Sequence, residues 1–281
     1  MGSVEQLQCL LFPALISLFL ALHVSTTSNI SLPGCPDKCG NMPIPYPFGI
    51  GASCFRDGFE ITCNQSTNPP RVVLWSEQEN NIELTKINIT SGEAYANNKG
   101  ISYKCYNGRS FEGHLANFTL KYHRAFLFSN KQNKFIVIGS SAFAYFSAVR
   151  VSSELRDYWS GCLSYCLSLN DTTGNGGRCN GSGCCTSTIA AGLDEYHVMW
   201  GFEVDFPLEF NPCSYAVLMD ENWYKFSIQD LRGFNFYERN HKIGVPVVLD
   251  WPSGTPTPHA AMVWRGALTL HVVAIIAVAT T

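Results

Sequence analysis

Eight basic side chains stand almost alone between Ala94 and Ser153. Lys99, Lys104, Arg109, Lys121, Arg124, Lys131, Lys134 and Arg150 are opposed there by one carboxylate, Glu112. Eight minus one gives a local charge of +7 in a chain whose formal net charge is −3. A basic face of this kind attracts a polyanion through ion pairs that salt screens, whereas the same residues spread over several faces are only a solvated strand surface. Lys99, Lys104, Arg109, Lys121 and Arg124 are the candidate ligand contacts. From Gly183 to Arg265 the balance reverses, because Lys225, Arg232, Arg239, Lys242 and Arg265 meet ten carboxylates, a sum of −5. Hydrolysis of a glycoside would need two carboxylates across a cleft. Asp194, Glu195, Glu203 and Asp205 are available, but no spacing singles out a pair, and the Gly-x-Ser-x-Gly of a nucleophile elbow is missing from the sequence.

The cysteines supply the other chemistry. Eleven of the twelve follow an apolar leader, Met1–Leu22, whose core runs fourteen residues from Cys9 to Leu22. That core is shorter than the ~20 residues a bilayer span needs. Small residues after it, Val24 to Ser28, complete the pattern of a removed signal peptide, although the charge before the core is Glu5 rather than Lys or Arg. Residues 1–28 are therefore expected to be a signal peptide, and the thiols beyond them to oxidise rather than bind metal. Six N-glycosylation sequons, at Asn29, Asn64, Asn88, Asn117, Asn170 and Asn180, agree with export.

The cysteines form two groups. Cys35, Cys39, Cys54, Cys63 and Cys105 lie in the first half, and Cys162, Cys166, Cys179, Cys184, Cys185 and Cys213 in the second. Six can close three bridges, while five leave one over. Adjacent Cys184 and Cys185 are badly placed to bridge each other and should reach two different partners.

These side chains must be positioned by strands. Runs such as Arg71–Trp75, Ile82–Ile89, Ile101–Tyr106, Lys134–Ile138, Ala142–Phe146, Tyr196–Phe206, Ser214–Met219 and Val245–Trp251 are β-branched, aromatic or alternating. Phe59–Cys63 and Phe118–Tyr122 read the same way. Ser227–Phe236 is the one stretch with a helical period, and Asn170–Gly183, rich in Gly, Asn and Thr, reads as a loop. The fold class expected is mostly β: a disulfide-stapled, cysteine-rich extracellular domain with little helix. Aromatic content of 13% favours a packed core over a disordered stalk.

The segment Gly34–Gly51, with Cys35, Cys39, Pro43, Pro45, Pro47, Gly49 and Gly51, resembles the start of the galacturonan-binding domain of plant wall-associated receptor kinases. The resemblance continues through Cys54-Phe55, Gly58–Asn64, Asn133–Gly139, Ser160–Cys166, Cys179–Cys185, Pro212–Ala216 and Val245–Trp251. It divides the chain into an amino-terminal half of that domain (29–155), a cysteine-rich carboxy-terminal half (156–251), and a spacer with an apolar tail (252–281). Ser253, Gly254 and Thr255, a short spacer and the apolar Gly266–Thr281 resemble a GPI-attachment signal. The resemblance also marks a departure. The family places a cysteine directly after the glycine equivalent to Gly139, and this chain has Ser140. Its lost partner is expected to be Cys105, which would leave Cys105 as a free thiol and the other ten cysteines of the domain in disulfides.

The resemblance implies a non-catalytic module that binds pectin, the acidic homogalacturonan of the cell wall, with no cofactor, no metal and no nucleic acid. Galacturonate carries a carboxylate on each sugar, which Lys and Arg can pair. Tyr103, Tyr106, Phe118 and Tyr122 are candidates to stack on sugar faces. The 281 residues contain no Gly-rich phosphate loop, His-Arg-Asp or Asp-Phe-Gly, so an ectodomain without kinase or EGF-like modules is expected. The alternatives are a decoy or co-receptor pairing with receptor kinases at the plasma membrane and, more remotely, a wall-polysaccharide hydrolase.

Overall fold

The computed structural model describes residues 30–74, 82–120, 125–148, 158–201 and 209–251. Residues 1–28, expected to be a signal peptide, and Asn29, Lys121, Tyr122, Arg124, Arg150, Glu203, Asp205 and the tail 252–281 lie outside the described residues.

In chain order the strands are β1 (Lys38–Cys39), β2 (Met42–Pro43), β3 (Ile61–Asn64), β4 (Arg71–Leu74), β5 (Ile82–Asn88), β6 (Glu93–Asn98), β7 (Ser102–Tyr106), β8 (Phe111–His114) and β9 (Asn117–Thr119). There follow β10 (Leu127–Phe128), β11 (Asn133–Ile138), β12 (Ser141–Ala148), β13 (Tyr158–Tyr165), β14 (Cys184–Ser187), β15 (Glu195–Trp200), β16 (Cys213–Asp220) and β17 (Val245–Asp250). Helix is confined, among the described residues, to α1 (Asn235–Asn240) and two 3-10 turns, Leu169–Asp171 and Ile228–Leu231. The fold is mostly β, as the alternating runs require.

Beside the small β1–β2 pair, the strands form three antiparallel sheets. Their orders are β10-β17-β6-β5-β4-β3, β14-β11-β16-β7-β8 and β13-β12-β15-β9. Each sheet mixes strands from both halves of the chain. The main core lies where the three meet: Val72, Leu84 and Leu249 from the first sheet, Phe135, Val137 and Leu218 from the second, and Phe146, Tyr196 and Val198 from the third pack in one cluster. A second cluster covers the other face of the five-stranded sheet, where Ile136, Ile138, Tyr215 and Val217 meet Phe226 from the loop after β16, Leu231 from the second 3-10 turn and Phe236 from α1. Period-two alternation explains how one strand feeds both, since neighbours on β11 and β16 point to opposite faces.

Two buried asparagines stitch the sheets. Asn98, at the end of β6, donates to the Tyr196 hydroxyl at 2.7 Å and to the Leu218 carbonyl at 2.7 Å, and accepts from the Gly100 amide at 2.8 Å. One side chain so joins all three sheets. Asn133 on β11 donates to the Val248 carbonyl and accepts from the Val248 amide, at 2.7 and 2.8 Å, and ties the second sheet to β17.

The proline-rich amino-terminal segment is structural. Phe48 is fully buried and packs edge-on against Phe59 and Trp251, with ring centroids 5.2 Å away in both cases. A side chain at Gly49 would place its Cβ 2.1 Å from the Cys54 carbonyl oxygen, so only glycine fits the turn that brings Cys54 round.

Five disulfides are formed: Cys35–Cys54, Cys39–Cys63, Cys105–Cys213, Cys162–Cys185 and Cys179–Cys184. Cys184 and Cys185 reach different partners because they point to opposite faces of β14. The expected free thiol is corrected: Cys105 is bonded to Cys213, and buried Cys166 is the unpaired cysteine. The reason is register, which sets Cys105 on β7 directly opposite Cys213 on β16, although 108 residues separate them in sequence. Cys166 instead sits beside the position where the family has its extra cysteine, its amide donating to the Ser140 carbonyl at 2.7 Å.

Candidate functional site: a basic edge hairpin

β7 and β8 form a hairpin at one edge of the five-stranded sheet. Along β7, Tyr103 and Cys105 turn to the second core cluster, so Lys104 turns to the opposite face, level with Gly113 on β8 and Ser214 on β16. Gly113 lets the strands close up, for a Cβ there would meet the Tyr103 carbonyl oxygen at 2.6 Å. The half-buried Lys104 stem runs across this gap and sets its Nζ 4.3 Å from the centre of the Phe111 ring. Such a contact is worth roughly 0.5–1 kcal/mol at an accessible site and fixes where the ammonium points.

The hairpin turn is built by Asn107. Its Oδ1 accepts from the amides of Arg109 and Ser110 at 3.0 and 2.9 Å, while its Nδ2 donates to Glu112 at 2.7 Å. The one carboxylate of the basic stretch is thereby drawn to the turn. Arg109 is exposed at its tip, and Lys99 is exposed at the other end of the hairpin, just after Asn98. The Cys105–Cys213 bond anchors the hairpin to the central strand β16.

Lys131 and Lys134 do not join this edge. Lys134 on β11 lies 3.8 Å from Glu221. Lys131 acts on Asp250, whose carboxyl is pushed up by burial and by Glu93 and held down in part by Lys131. Lys99, Lys104 and Arg109 thus stand on or beside one hairpin, Lys134 faces Glu221, Lys131 lowers the pKa of Asp250, and Lys121, Arg124 and Arg150 lie outside the described residues.

The aromatic candidates divide similarly. Tyr103 packs at 4.8 Å against both Phe234 and Tyr237, and Phe118 packs against Phe128 and Tyr196, so both serve the core rather than a ligand. Tyr106 pairs with Phe111 at 5.1 Å on the hairpin itself. Of the carboxylates considered for hydrolysis, Glu195 is buried 3.6 Å from His197. Three sequons adopt a compact turn in which the Asn64, Asn88 or Asn180 oxygen accepts from the amide of its own Ser or Thr, at 2.9, 3.2 and 3.2 Å. Asn117, Asn170 and Asn180 are exposed.

Residues 35–98 match the family described as wall-associated receptor kinase galacturonan-binding. Over most of its length the chain is similar to wall-associated receptor kinases. It is 29% identical over 244 residues to wall-associated receptor kinase 4 of Arabidopsis thaliana, which covers 84% of this chain and 30% of that protein. It is 31% identical to wall-associated receptor kinases 5 and 1 of the same plant, over 237 and 238 residues, covering 79% of this chain and 28% of each relative. The chain spans under a third of the length of these relatives. No solved structure matches it. Among the described residues, no helix is long and apolar enough to cross a membrane.

Proposed function

We propose that this wall-associated-kinase-type domain is a non-catalytic module that binds homogalacturonan at the plant cell wall, with Lys99, Lys104 and Arg109 pairing with its carboxylates. The observation that carries this reading is the match of residues 35–98 to the galacturonan-binding family. The hairpin supports it independently, because an extended polyanion running along β7 passes Lys99, Lys104 and Arg109 in turn. Lys104 sits on a disulfide-anchored strand with its ammonium already held over the Phe111 ring, so it loses less conformational entropy on binding. Lys121 and Arg124 follow in sequence and are assigned to the same ligand.

The test is retention on polygalacturonate across a salt series. The parent should be held at low salt and released as salt rises, because exposed ion pairs are screened within about 10 Å at 0.1 M and about 3 Å at 1 M. Replacing Lys99, Lys104 and Arg109 together by Glu should abolish low-salt retention while leaving the thermal unfolding midpoint near that of the parent. Unchanged retention by the folded triple variant would move the site away from this hairpin.

A further inference from the structure

The outer face of the four-stranded sheet inverts the usual alternation. In β12, Ala142, Ala144, Phe146 and Ala148 are buried in the core, while Phe143 and Tyr145 turn outward. In the register, Phe143 lies opposite Leu163, Tyr145 opposite Gly161, and Ser147 opposite Trp159. Directly opposed residues share a face. Trp159 is 54% exposed, Leu163 45% and Phe143 38%. The rings form a continuous strip: Phe143 to Tyr145 is 5.8 Å between centroids with planes 41° apart, and Tyr145 to Trp159 is 5.5 Å at 32°.

Two glycines shape the strip. A Cβ on Gly201 would stand 2.0 Å from a ring carbon of Phe143, so only glycine leaves room for this ring, which is 38% exposed. At Gly161 a Cβ would come within 2.5 Å of the Tyr145 Cβ, and its absence lets β13 close on β12 beside the ring. The strip is also uncharged. Among the described residues of β12, β13 and β15, Glu195 and His197 are the only acidic or basic side chains; Glu195 is buried, and His197 stands in the row of Ser147 and Trp159, one strand beyond Ser147.

We propose that this strip docks galacturonan in its uncharged, methyl-esterified form, at a site separate from the basic hairpin. The proposal rests on the galacturonan reading and names which form of the polymer goes where. A pyranose ring has a flat C–H face that packs on an aromatic ring, and the ring spacing here is comparable with the length of one sugar unit. Charge decides between the two forms. A free carboxylate laid against three rings, with no Lys or Arg among the described residues of β12, β13 and β15 to pair it, would lose hydration without return, whereas the methyl ester has no charge to desolvate. An exposed apolar patch of rigid rings on a sheet is also a poor accident, since it invites association unless something covers it. Asn117 is on the same face at the far edge, three strands from Trp159. At ~4.8 Å per strand this leaves ~14 Å between the strip and the base of a glycan there.

The full chain, secreted and purified, is tested on immobilised methyl-esterified pectin and on polygalacturonate, at low salt and at about 1 M salt, where the screening length is about 3 Å. The parent should hold esterified pectin more weakly than polygalacturonate at low salt but keep it at high salt, where polygalacturonate is released. Trp159→Ala, and Trp159→Ala with Tyr145→Ala, should weaken esterified-pectin binding about tenfold or more, the loss of one or two ring contacts. Both should leave low-salt polygalacturonate binding unchanged, and Trp159→Tyr should retain most of the esterified-pectin binding. Undiminished esterified-pectin binding by the folded variants, equal losses on both polymers, or no esterified-pectin binding by the parent would overturn the proposal. A sedimentation shift between parent and Trp159→Ala without sugar would give the strip to a second copy of the chain and also overturn it. Failure of the underlying reading has a different signature, a parent that is not retained on polygalacturonate at low salt.

Discussion

Replacing Ser140 by Cys should close a further disulfide, to Cys166. Ser141 and Tyr165 are the last register partners of β12 and β13, and the Cys166 amide donates to the Ser140 carbonyl at 2.7 Å, so 140 and 166 continue that pairing. Opposed residues in an antiparallel pair have Cα atoms roughly 4.5–5.5 Å apart, inside the range a disulfide spans. Both residues are buried, so the bond would form in the protein interior without a new exposed group. The loop closed is 166 − 140 = 26 residues. In the chain-entropy model this corresponds to about 3.5 kcal/mol, less any strain in the native state. For a domain of this size each kcal/mol moves the midpoint by about 2–4 °C, so a rise of about 7–14 °C is the ceiling and half of it a reasonable yield. In the parent, burial and the charge of Asp171 push the Cys166 thiol up, so it should resist alkylation until the protein unfolds. Calorimetry and iodoacetamide labelling followed by peptide mass spectrometry read both effects. The reasoning fails if the Ser140→Cys protein carries two alkylatable thiols after oxidative refolding, or if its bridge joins 140 to any cysteine other than 166.

Three further outcomes follow from the packing. Asn98→Ala removes two donated bonds and an accepted one from a fully buried group that links three sheets, and leaves the Leu218 carbonyl unsatisfied; chemical denaturation should show a loss of about 2–4 kcal/mol. Phe48→Ala empties the centre of the Phe59–Phe126–Trp251 ring cluster and should lose about 3–5 kcal/mol by the same measurement. Asp250 lies directly opposite Glu93 across β17 and β6, and burial and this neighbour raise its pKa above the ordinary carboxylate value. The folded state therefore binds a proton more tightly than the unfolded chain, so this group's contribution to stability declines as pH rises from the ordinary value through the raised one. Asp250→Asn should be more stable than the parent at neutral pH by about 0.2–1 kcal/mol, and the gain should vanish in acid, where the parent carboxyl is protonated. A variant that gains equally at all pH would show that the charge is not the cause.

Strands with alternating or continuous apolar runs were legible, as at β5, β11, β16 and β17. β6 was not, because its inward positions are Ala94, Ala96 and Asn98, small or polar groups that fit only where three sheets crowd together. β13 hides for the opposite reason, since its large side chains, Trp159, Leu163 and Tyr165, point away from the core. Cysteines close in sequence found each other, Cys35 with Cys54 and Cys39 with Cys63. Cys105 could not be paired by proximity, because its partner is fixed by strand register. The same register separates the described part of the basic stretch, which reads as one block of +7 but places Lys99, Lys104 and Arg109 at a hairpin edge and Lys131 and Lys134 near carboxylates of other elements. For the aromatic strip a signal did exist: in Ala142–Tyr145 small and aromatic residues alternate, with both alanines on the crowded side, before Phe146 breaks the pattern.

That alternation bears on how the two proposed sugar contacts can act together. The hairpin belongs to the five-stranded sheet and the ring strip to the four-stranded one, and the two sheets meet through the shared core and through β13 and β14, joined by Cys162–Cys185. Their separation is therefore fixed by packed strands rather than by a linker. Two weak contacts on one rigid body, each matched to a different chemical form of one polymer, select chains that carry both free and esterified blocks. A chain carrying both forms should be held more tightly than either pure polymer at equal sugar concentration, because the second contact is then intramolecular. Partially esterified pectin compared with fully esterified pectin and polygalacturonate, all on the parent protein, measures this directly. Affinity for the mixed polymer that only averages the two pure ones would show that the sites are used singly.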